Sequence, residues 1–253
     1  MQIWISLLEG LESVLRFFQS VIEPVLPAYS WAVAIVLLTV AVRVLLLPLA
    51  VKQIRSMRAM QQLQPEMKKI QEKYKVDRSL MKTDPEKYKA KRQKQQEAMM
   101  ALYKEHNVNP MAGCLPLLPQ IPIFIALFWV LDSRSAQVQV EELETSGFIL
   151  VESLSARAAD GNGIGALVLV ALMGITMFLT QKTMMAMNPQ AGQNPQQKIL
   201  MYVLPPMLTI FAFNFPSGVV LYWVTTNLWQ MAQQWLMLRN VGPPPAQATT
   251  KPA

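Results

Sequence analysis

The sequence predicts an all-α fold: a polytopic membrane bundle of five transmembrane helices, with an amphipathic amino-terminal helix and a cytoplasmic helical hairpin. Three observations predict this class. Of the 253 residues, 52% are hydrophobic and only 15% are charged. The apolar residues form blocks long enough to cross a bilayer, and most charged residues lie between those blocks. The sign of the charge also changes from one connecting segment to the next.

The first stretch, residues 1–27, has Glu9 and Glu12 within an apolar sequence and no early Lys or Arg. A secretory signal peptide needs a basic start and an uninterrupted apolar core. We therefore predict an extracytoplasmic amphipathic helix that lies on the membrane surface. Cys114 is the only cysteine, so we expect neither an intrachain disulfide nor a lipid-modified amino terminus.

Five apolar segments have the composition of membrane spans. The first, 28–51, is about 36 Å long as a helix, which is enough to cross a hydrocarbon core of about 30 Å with some tilt. The other four contain no Lys, Arg, Asp or Glu except at their ends, and they lie at 111–131, 164–180, 199–213 and 217–238.

The connecting segments indicate the orientation. Residues 52–110 contain 15 basic and 7 acidic side chains, whereas residues 132–163 contain 2 basic and 6 acidic ones. The positive-inside rule places 52–110 in the cytoplasm and 132–163 outside. The loop 181–198 and the tail 239–253 then also fall inside, and the amino terminus falls outside.

Residues 52–110 are predicted to form the cytoplasmic hairpin. Apolar residues recur at spacings of three and four from Ile54 to Tyr74, which marks one face of a helix. Asp84-Pro85 is typical of the start of a second helix. A disordered charged loop is the alternative. The basic excess favours contact with anionic lipid headgroups, with ribosomal RNA as the second interpretation, and no direct DNA binding is expected.

Arg43 lies inside the first span, where an ionisable side chain costs roughly 2.5 to 3.5 kcal/mol. Its guanidinium either snorkels to the interface near Lys52 or faces a polar cavity, and we favour the cavity. Thr39 shares its helical face. No span contains an Asp or Glu that could pair with Arg43, so the simplest environment is a water-filled recess whose negative charge comes from a ligand.

Polar side chains also follow one side of other spans. The second span contributes Gln120, and the fifth contributes Trp223, Thr226 and Asn227. The third span adds three threonines at spacings of three and four: Thr176, Thr180 and Thr183. One such stripe alone is more often an interhelical hydrogen-bonding surface. Together with Arg43, the stripes favour a hydrated interior.

The spans lack the side chains of most enzymes. They contain no His and no carboxylate, which excludes the usual bases, nucleophile pairs and metal ligands of an intramembrane hydrolase. The chain also has no glycine pattern for binding nucleotides. We predict that the protein is not an enzyme and has no catalytic residue, metal or cofactor.

Three blocks of the sequence closely resemble the YidC membrane protein insertases and their mitochondrial and chloroplast relatives. The blocks are TVAVRVLLLPLAVKQIRSMRAMQQLQPEMKKIQEKY, GCLPLLPQIPIFIALFWVL and NFPSGVVLYWVTTNLWQMAQQW, and the resemblance extends over residues 24–239. It implies five core helices around a positively charged groove that is open to cytoplasm and lipid and closed to the outside. It also implies groove-lining positions for Arg43, Gln120 and Trp223.

The resemblance implies insertion and folding of nascent membrane proteins in the bacterial cytoplasmic membrane, alone or with the Sec translocon. Ribosomes and signal recognition components are further expected partners. A solute channel or lipid transporter is the alternative, and a structural subunit of a larger translocon is another. The chain resembles a short form of the family, without the large periplasmic domain of Gram-negative members or the lipoprotein start of many Gram-positive ones. Its short, weakly charged tail makes ribosome attachment through the tail unexpected.

Overall fold

The computed structural model describes residues 2–74, 83–106, 108, 117–132, 140–187 and 195–239. Over this part of the chain the fold is helical, and two isolated β-bridges are its only extended pairings. The α-helices in chain order are α1 (Gln2–Ile22), α2 (Ser30–Leu45), α3 (Leu47–Gln62), α4 (Gln64–Lys73), α5 (Pro85–Glu105), α6 (Leu117–Leu131), α7 (Gly163–Met187), α8 (Pro195–Phe211) and α9 (Ser217–Arg239). The predicted loop segment 188–194, the start of the second span at 111–116 and the tail after 239 lie outside the described residues.

The chain divides into two compact units. The first, which we call the bundle, comprises Met1–Pro48 and Leu117–Val241. The second comprises Leu49–Pro116 and Gly242–Ala253, and its described part contains most of α3 together with α4 and α5.

Two helical segments of the bundle have the length and apolar composition needed to cross a membrane. These are Pro27–Leu45, which contains α2, and Gly163–Met185 in α7. Two shorter apolar helical segments, Pro119–Leu131 and Tyr202–Asn214, belong to α6 and α8 and their flanking turn. The predicted all-α class is therefore confirmed, whereas the number of five spans stays a prediction.

The predicted first span, 28–51, is divided between two helices. α2 ends at Leu45, Leu46 forms a turn, and α3 begins at Leu47. Pro48 explains the division, because proline lacks the N–H needed inside a helix and disfavours helical geometry in the residue before it. Arg43 consequently lies in the last turn of α2, where the negative end of the helix dipole favours a cation.

α1 is amphipathic, as predicted, and one of its faces packs on the bundle. Leu8 and Leu15 are buried in the core. Trp4 meets Trp129 of α6 edge to face, with 6.2 Å between ring centroids. Apolar side chains also point outward, and Ile3 is 89% exposed. This second apolar face suits a helix at the membrane interface.

The core of the bundle is formed by facing apolar side chains of α1, α2, α6, α7 and α9. At the start of α9, Gly218 packs so closely that an added Cβ would meet the Cδ1 atoms of Ile35 and Leu131 at 3.1 and 3.4 Å. Between α7 and α8, a Cβ on Gly174 would lie 2.9 Å from a methyl carbon of Thr209. Glycine thus permits close helix approach at both places.

Residues 140–162, between α6 and α7, fold onto one end of the bundle, and we call this segment the cap. It contains two short 3-10 turns, at Glu141–Leu143 and Ala158–Asp160. Four of its apolar side chains are buried in the bundle core: Val140, Leu143, Val151 and Leu154.

In the second unit, α4 packs on the end of α5. Leu63, Met67 and Leu102 form a small buried cluster. The Tyr103 hydroxyl lies 3.9 Å from Met67 Sδ. α5 begins at the Asp84-Pro85 pair, where the Asp84 carboxylate accepts a hydrogen bond from the Lys87 N–H at 3.0 Å and caps the helix.

Candidate functional site

Arg43 is half-buried at the end of α2 and carries an unneutralised charge. Thr39, one turn earlier, is fully buried, and its hydroxyl donates to the Ile35 carbonyl at 2.7 Å. The Thr39 hydroxyl is therefore bonded to the backbone of its own helix and does not pair with Arg43. Among the described residues, the Arg43 guanidinium has neither an ion pair nor a hydrogen-bonded side chain. Its charge is available to a ligand.

Three helices bring polar groups together near Arg43. Gln120 on α6 donates a hydrogen bond from Nε2 to the Tyr222 hydroxyl on α9. The Tyr222 hydroxyl also lies within electrostatic range of the Arg43 guanidinium. The predicted residue Gln120 is thus bonded to Tyr222, a residue near Arg43 that sequence reasoning missed. The spacing could have identified it, because Tyr222 precedes the predicted Thr226 by one helical turn.

Trp223 lies beside this polar group and belongs to an aromatic cluster between α6 and α9. Its ring meets Phe124 at 4.8 Å between centroids in an edge-to-face geometry. It also stacks with Phe215 at 6.3 Å and an interplanar angle of 9°. These aromatic contacts fix the indole on one side of the polar group while leaving it half-buried.

The remaining predicted site residues on α9, Thr226 and Asn227, are buried, and Asn227 bonds to α7. Asn227 is 4% exposed, and its Nδ2 donates to the Thr176 hydroxyl at 3.1 Å. Farther along, the Thr183 hydroxyl donates to Gln234 Oε1 at 2.7 Å. Thr226, one turn after Tyr222 on α9, is also buried. Polar side chains of α7 and α9 therefore bond to each other at two places, and Gln120 and Tyr222 form a further pair near Arg43.

Along α7 and α9, the two hydrogen-bonded pairs advance in the same direction. From Thr176–Asn227 to Thr183–Gln234, each helix progresses by seven residues, or two turns. The two helices are therefore parallel. Thr180, which lies between these pairs on α7, is buried, and its hydroxyl has no hydrogen-bond partner within the described part of the chain.

The arrangement can bind a negative charge. A guanidinium supplies several N–H donors that match a carboxylate. Around it, Gln120 and Tyr222 supply an amide and a phenol, and Trp223 supplies an apolar surface. Such a site suits transient binding of a polar or acidic segment within an otherwise apolar bundle.

Comparison with known proteins gives concordant matches. The model of the 60Kd inner membrane protein family matches residues 21–85 and 80–243. A protein named membrane protein insertase YidC from Streptomyces avermitilis is 40% identical over 245 residues, covering 87% of this chain and 54% of the relative. A protein of the same name from Syntrophobacter fumaroxidans is 41% identical over 219 residues, covering 84% of this chain and 35% of the relative.

The fold also matches a crystal structure of an active YidC insertase in which the first transmembrane domain is resolved. The TM-score is 0.62 at 29% sequence identity, with 88% of this chain and 45% of the other chain covered. The chain spans about half the length of the Streptomyces relative and a third of the Syntrophobacter one. Since the family model covers most of the sequence, we conclude that this chain belongs to the 60Kd inner membrane protein family.

Proposed function

We propose that the protein is a membrane protein insertase, and not an enzyme, that helps nascent membrane proteins to enter the bilayer and fold. The observation that carries this proposal is the half-buried Arg43, which has no counter-charge among the described residues and lies near the Gln120–Tyr222 hydrogen bond. The names of the two curated relatives and of the matched structure support the same function.

In this proposal, the substrate-binding groove is formed by Arg43, Gln120 and Tyr222, with Trp223 as its apolar wall. Thr39, Thr226 and Asn227 line or support the same region. The groove is open to the cytoplasm and to lipid. An acidic or polar segment of the substrate binds there, where the guanidinium forms a charge-assisted contact with a carboxylate.

The proposed topology places α2, α6, α7, α8 and α9 across the bacterial cytoplasmic membrane. The amino terminus lies outside, the carboxyl terminus lies inside, and 52–110 forms a cytoplasmic hairpin. The parallel packing of α7 and α9 supports this arrangement, because two helices separated by one further span cross in the same direction. The basic charge of 52–110 supports its cytoplasmic position.

Transfer then follows from two forces. A membrane potential that is negative inside favours outward movement of a substrate carboxylate by about 2.3 kcal/mol per charge per 100 mV. The apolar segment of the substrate leaves sideways into lipid along α7 and α9, where burial of its side chains drives release. α7 presents an exposed apolar face to this path, including Ile175, Phe178 and Leu179.

We also propose partners for the protein other than the substrate and the bilayer. The hairpin formed by α4 and α5 receives or steers substrates together with the ribosome, signal recognition components or the Sec translocon. The support for this role is the exposed basic surface of α5, which includes Lys87, Lys89 and Lys91.

The proposal is tested by reconstituting the purified protein in liposomes and measuring insertion of a single-span substrate with an acidic translocated end. Arg43→Ala should reduce insertion by at least about tenfold, because a charged hydrogen-bonding partner is lost. Arg43→Lys should retain most activity, since a mobile substrate needs the charge more than the guanidinium geometry. Arg55→Ala, which removes an exposed arginine of the second unit, is the matched control.

Three outcomes would contradict the proposal. Wild-type insertion no greater than that of empty liposomes would exclude an autonomous insertase. Flux of ions or lipid without any nascent chain would favour a channel or transporter. If Arg43→Ala disturbed assembly with other membrane proteins and left insertion unchanged, a structural subunit would be favoured.

A further inference from the structure

One buried side chain, Asn162, organises the last part of the cap. Its Oδ1 accepts a hydrogen bond from the Ser153 N–H at 2.8 Å. Its Nδ2 donates to the Ser153 and Ala156 carbonyls at 2.6 and 3.1 Å, and to the Ser217 hydroxyl at 2.8 Å. Asn162 is 4% exposed. One amide therefore holds the last part of the cap together and joins it to the first residue of α9.

The cap also supplies the carbonyl groups that the start of α9 needs. The first N–H groups of a helix have no partner within the helix. At α9, the Ser217 N–H donates to the Ala156 carbonyl at 2.9 Å, and the Gly218 N–H donates to the Leu154 carbonyl at 2.7 Å. The position of α9 at this end of the bundle is thus set by hydrogen bonds to the cap.

Further contacts tie the cap to three other helices. Arg157 forms an ion pair with Asp132, directly after α6, at 2.7 Å, and both side chains are largely buried. Glu142 pairs with Arg16 of α1 at 2.9 Å. The Gly165 N–H of α7 donates to the Leu150 carbonyl at 3.0 Å. The cap therefore fastens one end of α1, α6, α7 and α9.

Beneath the cap lies a layer of buried apolar side chains, between this end of the bundle and Arg43. Ile35, Leu131 and the Leu154 carbonyl all lie against Gly218. The side chains of Ile35, Leu131 and Leu154 are buried. Arg43 follows Ile35 by eight residues, or about 12 Å along the helix axis. Any water that reaches Arg43 from the cap side must cross this layer.

We propose that Asn162 is the positioning residue that holds the cap against the start of α9 and so keeps the apolar layer beneath the cap closed to water. This inference rests on the proposed groove, since closure of this layer matters only if water reaches Arg43 from the other side. Loss of the Asn162 amide removes its bonds to the Ser153 and Ala156 carbonyls and to the Ser217 hydroxyl. The Ala156 carbonyl, which accepts the Ser217 N–H, is then less firmly held, and the apolar layer around Gly218 opens to water. Asn162 acts through α9 and does not touch a substrate.

The test measures access to the apolar layer and needs no substrate, so its result is independent of insertion. Cys114→Ala gives a cysteine-free chain. Leu131→Cys then places a thiol within the apolar layer, at a site that is 1% exposed. The reconstituted protein is treated with a membrane-impermeant maleimide, added separately on each side of the vesicle. The rate of labelling reports water access from the cap side.

Asn162→Ala and Asn162→Asp should raise labelling from the cap side by at least about tenfold, because both remove the two N–H donors that the amide shares among three acceptors. Asn162→Asp keeps the size of the side chain but places an acceptor oxygen where the donors were. Glu144→Gln, a change at an exposed cap residue, should leave labelling unchanged. If the Asn162 variants do not fold, Ser217→Ala, which removes one of these bonds, replaces them and should raise labelling to a smaller degree.

Two results would overturn the inference. One is a folded Asn162 or Ser217 variant in which the thiol at position 131 remains as protected as in the parent. The other is an equal rise in labelling from both sides, which would indicate general loosening of the bundle.

Discussion

Replacement of Gly165 by alanine should destabilise the bundle, although alanine is the better helix former. Gly165 lies in the first turn of α7, against the cap. An alanine Cβ there would lie 2.5 Å from both the Leu150 carbonyl oxygen and the Val151 nitrogen. Both are backbone atoms, so no side chain can rotate away. Reaching the usual contact distance of a carbon atom requires a shift of about 1 Å.

The magnitude follows from two opposing terms. Overpacking in a well-packed core costs typically about 1 to 3 kcal/mol. The gain in helix propensity from glycine to alanine offsets up to about 1 kcal/mol of this. Because the clash is with backbone atoms 2.3 to 2.5 Å away, the cost falls in the upper part of this range. We expect a net loss of roughly 1 to 2 kcal/mol, which corresponds to a decrease in Tm of about 2 to 8 °C for a domain of this size.

The assay is thermal unfolding in detergent, followed by circular dichroism, and the matched control is Gly10→Ala. Gly10 lies within α1, and an added Cβ would meet no atom within 4 Å. Gly10→Ala should therefore raise Tm or leave it unchanged. A Gly165→Ala protein that melts at or above the wild-type temperature would refute the reasoning that the cap packs rigidly against α7.

Two further predictions concern single contacts. A double-mutant cycle with Thr176→Val and Asn227→Ala should give a coupling free energy of about 0.6 kcal/mol. The upper end for hydrogen bonds between membrane helices is about 1.7 kcal/mol. Additive effects of the two substitutions would show that this bond is absent. Hydrogen bonding from Arg16 lowers the pKa of the Glu142 carboxyl. The stability that this pair contributes is therefore fully present above the ordinary glutamate pKa of about 4.3. It is lost as the pH falls through the lower pKa of the folded state. Unfolding measured across the acid range should therefore show a smaller acid-induced loss of stability in Glu142→Gln than in wild type, and equal losses would exclude the contact.

Hydropathy was sufficient to predict the long apolar helices. α2 and α7 are recognisable because each contains a long run of residues with almost no charge. The division of the first span at Leu46 could also be anticipated, since Pro48 stands inside the run. Helical periodicity likewise placed Thr39 and Arg43 on one face of α2. These features could be predicted because each is determined by residues that are close together in the sequence.

Periodicity could not predict which helix each polar face meets. The threonines of α7 and the amides of α9 are visible in the sequence as stripes, but a stripe does not identify its partner. The structure pairs Thr176 with Asn227 and leaves Arg43 with Gln120 and Tyr222. The cap was less predictable still, because its order comes from Asn162 bonding to a residue far along the chain, with no repeating pattern in the segment itself.

The contact between Asn162 and Ser217 also has a consequence for how the protein is made. The two residues are 55 positions apart, and α8 lies entirely between them. Because domains are synthesised from the amino terminus, the cap emerges from the ribosome well before the start of α9. Until α7, α8 and α9 have been made, the Leu154 and Ala156 carbonyls and the Asn162 amide lack their partners at the start of α9 and bond to water instead. Completion of the cap is therefore a late event in biogenesis, and chains truncated before α9 should lack it.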